Sequence, residues 1–206
     1  MIHWPALRGW ITRATDFVCA DVAGAQLVEF AVTLPLLVVF VVGIFDFSSA
    51  FTLKQKLTNI ARDAARAAAA DPANDLQSLS PTSAPMSVKD AFQVVDSYLL
   101  ANNIGDCGIT LSNSPSGLTW TSTASINGCS LTLIINRGYY FPATGASLPS
   151  VSCTSQSSGG QTAIIGTCVS IQYAYPWRFG HVASLLGRTA TLPSTISATG
   201  VAMNEN

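Results

Sequence analysis

The stretch Leu27–Phe45 reads LVEFAVTLPLLVVFVVGIF and carries one formal charge, on Glu29, among its 19 residues. A helix of about 20 apolar residues is long enough to cross a bilayer. The run therefore predicts a membrane-spanning helix. Pro35 predicts a kink and not a break, because neighbouring helices can satisfy the carbonyl that a proline frees. A buried core helix is the alternative, and the length of the run argues against it.

The helical pattern continues past this run without a turn signal. Apolar residues recur at spacings of three and four from Ala50 to Ala67, which predicts one apolar stripe of an amphipathic helix. The alanines up to Ala70 favour helix, and Asp71 with Pro72 ends it. One helix over Gln26–Ala70 is expected, with its first half in lipid and its second half outside.

The rest of the chain predicts a domain of mixed secondary structure. Residues 71–86 contain three prolines among Ser, Thr and Ala, which predicts a linker. Ser87 with Asp90 predicts the cap of a short helix ending near Asn103. The expected fold class is α+β: a long N-terminal helix, membrane-spanning and then amphipathic, followed by a small antiparallel sheet with a short helix. The predicted strands are Thr119–Ile126, Ser130–Asn136, Ala163–Tyr175 and Thr189–Met203.

Composition argues against nucleic-acid binding and against catalysis. Charged residues make up 10% of the chain and the formal net charge is −1, which gives no attraction to phosphates. Past the linker His181 is the lone histidine, and the acidic residues are few and scattered. No general base, carboxylate pair or metal cage is indicated, so no enzyme activity and no cofactor is expected. The acidic residues past the linker are Asp90, Asp96, Asp106 and Glu205.

Four cysteines follow the apolar run and one, Cys19, precedes it. The four lack a C-x-x-C pair and a nearby histidine, which favours two disulfides in an oxidising compartment over a zinc site. Every connectivity stays open. The simplest joins sequence neighbours, Cys107 with Cys129 and Cys153 with Cys168.

Glu29 is the residue of the apolar run that asks for an explanation. An ionised acid at the centre of a spanning helix costs about 2.5–3.5 kcal/mol unless it is paired, which makes Glu29 a functional candidate. A position at the membrane edge, within reach of headgroups, is the alternative. Cleavage after Gly24 would create an amine on Ala25, four residues before Glu29. An amine of a neighbouring subunit is an equal candidate, and such a pair would set the axial stagger of packed helices.

Two segments resemble a known family. The run from Gly24 to Phe30, GAQLVEF, with Pro35 shortly after it, resembles the processing site and helix start of the TadE-like pilins of tight-adherence (Flp-type) pilus systems. The segment LTNIARDAARAAA, Leu57–Ala69, resembles the N-A-A-R-x-A-A-R stretch of that family. In this stretch Asn59, Arg62 and Arg66 match the family's asparagine and two arginines, and Ile60 replaces an alanine. More weakly, Ser170–Pro176 and the last residues resemble its closing strands.

The resemblance implies a function in assembly. An inner-membrane prepilin peptidase that reads Gly24 and Glu29 would cut the chain, which would then enter the pilus assembly machine as a minor pilin or pseudopilin. Phe30 stands where short major pilins have tyrosine, and 182 residues would remain after the cut, which both favour a minor subunit. The implied partners are other pilins, the peptidase, the inner-membrane assembly platform and the lipid bilayer. TadF-like pseudopilins share much of the pattern, and a tip, priming or platform position stays open.

These inferences divide the chain into five parts: a cytoplasmic leader over 1–24, a transmembrane helix over 25–46, an amphipathic extension over 47–70, a linker over 71–86 and an exported domain over 87–206. Basic residues do not decide the topology, because Arg8 and Arg13 are offset by acids and two lysines follow the span. The cysteines, the hydroxyl-rich domain and the resemblance place the N-terminus in the cytoplasm and the domain in the periplasm of a bacterium.

Two alternatives remain open at this point. One is an uncleaved, signal-anchored periplasmic protein whose domain binds a partner. The other is a secreted enzyme with a conventional signal peptide cut after Ala50, with Ser48 as the second small residue. The second alternative leaves Glu29 and the helical pattern beyond Ala50 without a purpose.

Overall fold

The computed structural model describes residues 22–76, 83–142, 149–155, 163–178 and 192–205. The chain divides into two compact units, residues 1–46 with 178–190, and residues 47–177 with 191–206. A long N-terminal helix, a short helix and a four-stranded antiparallel sheet confirm the predicted α+β class.

The first unit contains the beginning of helix α1, which spans Val22–Ala70 and runs through Pro35. Its described segment therefore starts four residues before the predicted Gln26. All side chains from residue 25 to 38 are exposed, although nearly all are apolar. The hydroxyl of Thr33 donates to the carbonyl of Glu29 at 2.9 Å, which satisfies a polar group without help from outside the helix. By length and composition, α1 could cross a membrane.

The second unit contains the sheet, whose strands pair in the order β1-β2-β3-β4. The first predicted strand agrees with the structure at both ends. The second continues six residues past Asn136, because a bulge at Arg137 and Gly138 lets the pairing with β3 resume at Tyr139. The fourth starts at Thr195, later than predicted. The strands are β1 (Thr119–Ile126), β2 (Cys129–Pro142), β3 (Ala163–Ala174) and β4 (Thr195–Met203).

The short helix α2 covers Met86–Ala101, and the predicted cap at Ser87 is wrong. Ser87 lies inside the helix and is buried, and no side chain caps α2 at Pro85. Instead, the backbone N–H of Ser87 donates to the Asp75 carboxylate at 3.0 Å. Asp75 belongs to a 3-10 helix over Ala73–Leu76, within the segment predicted as a linker. A local pattern could not indicate this contact, because its carboxylate comes from 12 residues away.

One apolar core lies between the helices and the sheet. Residues of α1 after Ala50, of α2 and of one face of all four strands belong to the same buried cluster, with Trp120 as its largest side chain. A smaller cluster lies on the other face, where Ile134 and Tyr139 pack with Cys153 and Cys168. Ile135 faces the main core, whereas Tyr139, four residues later, faces the smaller one. The bulge explains this change of face, because an extra residue reverses the alternation of a strand.

Candidate functional site

The segment Leu57–Ala69 presents two different faces. On one face Ala61, Ala64, Ala65 and Ala68 have no exposed surface at all. The small side chains allow β4 to come close: a Cβ atom on Gly200 would lie 2.4 Å from the carbonyl oxygen of Ala61. The alanines of this segment therefore serve packing of the helix on the sheet.

The opposite face carries Asn59, Arg62 and Arg66, all exposed. Spacings of three and four residues put the three side chains on one side of the helix. Asn59 and Arg62 line a shallow polar groove of about 360 Å³ together with Lys54, Gln55 and Thr58. The structure thus brings these predicted residues together on a surface rich in hydrogen-bond donors.

The two arginines of this basic face form few ion pairs within the described part of the chain. Arg66 lies 3.7 Å from Asp63 in a pair whose side chains are 75% and 53% exposed. Exposed ion pairs of this kind contribute at most about 1 kcal/mol. Arg62 forms no ion pair with any residue that the structure describes. Neither arginine is therefore needed to hold the domain together, which leaves both available for another molecule.

The residues predicted for processing lie at the start of α1, in the first unit. Gly24 is half-buried, whereas Ala25, Glu29 and Phe30 are exposed, with Phe30 at 61%. Ala25 and Glu29 are one helical turn apart. Within the described residues Glu29 has no ion-pair partner. A partner for Glu29 remains a prediction.

The two disulfides join sequence neighbours, which is the simplest of the connectivities. Cys107 is bonded to Cys129 with Cα atoms 5.5 Å apart, and Cys153 to Cys168 at 5.6 Å. The first ties the loop after α2 to the start of β2. The second ties the loop over residues 149–155 to β3. Cys19, the cysteine that precedes the apolar run, lies outside the described residues.

Sequence reasoning missed a network around Arg137, which is 1% exposed. Its guanidinium donates to the hydroxyl of Thr167 at 2.7 Å, to the side-chain oxygen of Asn204 at 3.1 Å and to the backbone carbonyl of Asp71 at 3.1 Å. Arg137 therefore connects the end of α1 to β3 and to the C-terminal segment. The available signal was that no other Lys or Arg occurs between Lys89 and Arg178.

Burial shifts the pKa of both ends of this network. Burial and the nearby carboxylate of Asp90 raise the pKa of Asp71, against the attraction of Arg137. Burial lowers the pKa of Arg137, partly offset by Asp75 and Asp71. In the same unit burial, and then Asp106, raises the pKa of Tyr173. Arg137 and Asp71 lie in the framework that supports the end of α1.

In the part of the chain that the structure describes, no group of three or more His, Cys, Asp or Glu residues could hold a metal ion. The predicted lone histidine, His181, lies outside that part. The described residues with perturbed pKa values are Asp71, Arg137 and Tyr173, and their shifts follow from packing. The basic face of α1 is thus the best-defined candidate site.

Comparison with known proteins gives one family. Residues 24–66 match the model of the family described as TadE-like protein. No curated protein matches the chain, and no solved structure does. The match ends at Arg66 and therefore includes the predicted processing site, Glu29 and the residues of the basic face.

Proposed function

We propose, from the match of residues 24–66 to the TadE-like family, that this chain is a minor pilin or pseudopilin that takes part in assembling a Flp-type, tight-adherence pilus. The observation that carries the proposal is the division within the family segment. Its first part is apolar and exposed along α1, and its second part has a buried alanine face and an exposed basic face. The exposed apolar surface requires lipid or another helix to cover it, and the exposed basic face is open to a partner.

The apolar first part supports insertion in the bacterial inner membrane. About 20 exposed apolar residues in one helix are unstable in water and stable in lipid or against similar helices. Residues 25–46 would form the single membrane span, with residues 1–24 as a cytoplasmic leader and the domain in the periplasm. The two disulfides support this side for the domain, because the periplasm is oxidising.

Glu29 would act by forming an ion pair with an ammonium group inside the apolar layer of the membrane. After cleavage by a prepilin peptidase between Gly24 and Ala25, the new amine and the Glu29 carboxylate would lie on successive turns of α1. A carboxylate and an ammonium in a low-dielectric layer attract strongly, because no water screens them. A pair between the amine of one subunit and Glu29 of the next would fix how far neighbouring helices are offset.

Asn59, Arg62 and Arg66 would contact the next pilin or the assembly platform. Guanidinium groups suit this role, because they bind carboxylates through two parallel hydrogen bonds. Arg62 is exposed and unpaired among the described residues, and removing it would cost the domain little. Its place in the family segment is then explained by a contact outside the chain.

Terminal sequencing and mass spectrometry of the protein purified from a pilus-forming cell would test the processing step. A mature chain starting at Ala25 is expected. An intact chain starting at Met1 would favour an uncleaved, signal-anchored protein. A chain starting at Phe51 would identify a conventional signal peptide, and either of these results would overturn the proposal.

A second experiment addresses Glu29. Glu29→Gln should abolish pilus formation, while the domain still folds and forms both disulfides. Glu205→Gln, which removes an exposed acid at the other end of the chain, is the matched control and should leave piliation unchanged. Normal pili with Glu29→Gln would contradict the assembly role of this residue.

A further inference from the structure

We propose that an apolar groove in the second unit seats on the outer leaflet of the membrane that α1 crosses, so that the domain has a second membrane contact besides its helix. This inference rests on the proposed membrane span. The groove has a volume of about 480 Å³ and combines side chains of α1, of the segment after β3 and of β4. Its lining includes Phe47, Phe51, Lys54, Trp177, Pro193 and Ile196.

Three aromatic rings, those of Phe47, Phe51 and Trp177, line the groove. The Phe47 and Trp177 ring centroids are 5.2 Å apart, and Tyr175 packs edge-on against Trp177 at 4.9 Å. Phe47 and Phe51 are 48% and 64% exposed. Trp and Tyr rings concentrate where a membrane meets water, because they combine a large apolar surface with one polar group, and the phenylalanines add apolar surface beside them.

The polar edge of Trp177 is already satisfied by the protein. Its indole Nε1 donates to the carbonyl of Pro193 at 2.6 Å. The ring can therefore enter an apolar layer without burying an unpaired N–H group, which would be unfavourable there. Trp177 follows β3 and does not belong to α1, so the contact would involve the domain itself.

The order of residues along α1 matches the order of layers in a bilayer. The apolar run ends at Phe45, and Phe47, Phe51 and Lys54 follow at roughly 3, 9 and 14 Å along the helix axis, at about 1.5 Å per residue. The interfacial layer on each side of the hydrocarbon core is roughly 5–8 Å thick. Aromatic rings thus fall within or next to that layer, and the Cα atom of Lys54 lies just beyond it, with a long side chain that leans back toward the N-terminus of the helix and so toward the membrane.

Lys54 provides the charge complement to lipid. Its ammonium donates to the carbonyl of Ser197 on β4, which holds the ammonium at the rim of the groove. An ammonium has three N–H donors, so two remain for a lipid phosphate. Basic groups next to a membrane are attracted to its surface where anionic lipids are present. The groove is therefore expected to contact a bilayer surface that contains anionic phospholipids.

Quenching of tryptophan fluorescence by brominated lipids tests this contact in the full chain, reconstituted in vesicles of phosphatidylcholine and phosphatidylglycerol. Trp4 and Trp10 are replaced by Phe, which leaves Trp120 and Trp177. Trp120 is 1% exposed and should be insensitive to the lipid. We expect quenching that disappears with Trp177→Phe and that falls at least twofold with Phe51→Ser, an exposed change that spares the fold. Equal quenching with and without Trp177 would overturn the inference.

Flotation of the vesicles distinguishes this inference from the proposed function. A chain that does not float with vesicles has no membrane span, and the proposed function fails with it. A chain that floats while Trp177 is untouched by brominated lipid keeps its span and lacks the second contact. Protection of Trp177 from lipid together with cross-linking between chains would assign the groove to a second copy and would also overturn the inference.

Discussion

Gly200 of β4 lies directly against the backbone of Ala61 in α1. A Cβ atom at position 200 would be 2.4 Å from both the carbonyl carbon and the carbonyl oxygen of Ala61, and 2.5 Å from the backbone nitrogen of Arg62. The obstacle is backbone, so no side-chain rotation can relieve it. The packing of α1 on the sheet thus depends on two residues with almost no side chain.

Gly200→Ala should therefore destabilise the domain by about 1–3 kcal/mol or more, because the helix and strand must separate. Unfolding in urea, followed by the fluorescence of buried Trp120, measures the change. Gly105→Ala is the matched control, since a Cβ atom there would meet its nearest neighbours at 3.5 and 3.7 Å, an ordinary contact distance. Equal stability of the two variants would show that α1 does not pack on β4 this closely.

The sequence pattern correctly placed the elements whose structure depends on residues close to them in sequence. The α1 stripe, the end of α1 at Ala70 and both ends of β1 follow from periodicity and from turn residues, and the structure agrees with them. Asn59, Arg62 and Arg66 are exposed, outside the apolar stripe of the same helix. The processing site and the role of Glu29 depend on other molecules and remain predictions.

Contacts between distant residues could not be read from the sequence. Arg137 bonds to Thr167, Asn204 and Asp71, which are 30, 67 and 66 residues away. The predicted second strand ended too early, at Asn136, because an asparagine, an arginine and a glycine in succession are typical of a turn. In the structure these residues form a bulge and the strand continues. The contact between Asp75 and the backbone N–H of Ser87 in α2 was not predicted for the same reason, because the two residues are 12 positions apart.

The basic face should matter for assembly and not for folding. Arg62→Glu with Arg66→Glu should abolish or strongly reduce pilus formation, because two cations that face the partner become acids. The free energy of unfolding should change by less than about 0.5 kcal/mol per substitution, as is usual for exposed sites. Pilus counts by electron microscopy and urea unfolding are the two measurements.

Lys89→Glu provides the control for charge reversal, since Lys89 is exposed on α2 and lies outside the basic face. Cells that carry this variant should form pili normally. Normal piliation of the double arginine variant would remove the basic face from the proposed interface, and loss of folding in that variant would assign the arginines to the domain instead.

Arg137→Met should destabilise the domain by about 1–3 kcal/mol. Methionine fills similar space, but the backbone carbonyl of Asp71 loses its donor, and an unsatisfied buried acceptor carries a cost of this size. Thr167 and Asn204 still bond each other at 2.7 Å, which limits the loss. Amide hydrogen exchange should show faster opening at the end of α1 than in the wild type. Unchanged exchange there would contradict the connecting role of Arg137.

Each disulfide should contribute about 3 kcal/mol, because the bonds close loops of 15 and 22 residues in the unfolded chain. Replacing Cys153 and Cys168 together by Ala should cost more than replacing Cys107 and Cys129, since the first pair is 1% and 0% exposed and leaves a cavity. Mass spectrometry without reductant should find one free thiol, Cys19, in the unprocessed chain and none in a chain that starts at Ala25. Free thiol at any other cysteine would contradict the pairing.

Asp71 should make the domain less stable as the pH rises. Burial and Asp90 raise the pKa of Asp71, so the folded state holds its proton more tightly than the unfolded state, whose pKa is near 3.8. The stability linked to this group is fully present below pH 3.8 and is lost as the pH rises through the folded pKa.

Asp71→Asn keeps the backbone carbonyl that Arg137 binds and stays neutral at every pH. The variant should therefore match the wild type below that pH and exceed it at pH 7, as measured by urea midpoints across the range, with Asp96→Asn as the control for loss of an acid. A variant that is less stable than the wild type at pH 7 would show that the attraction between Asp71 and Arg137 outweighs the cost of burying the carboxylate.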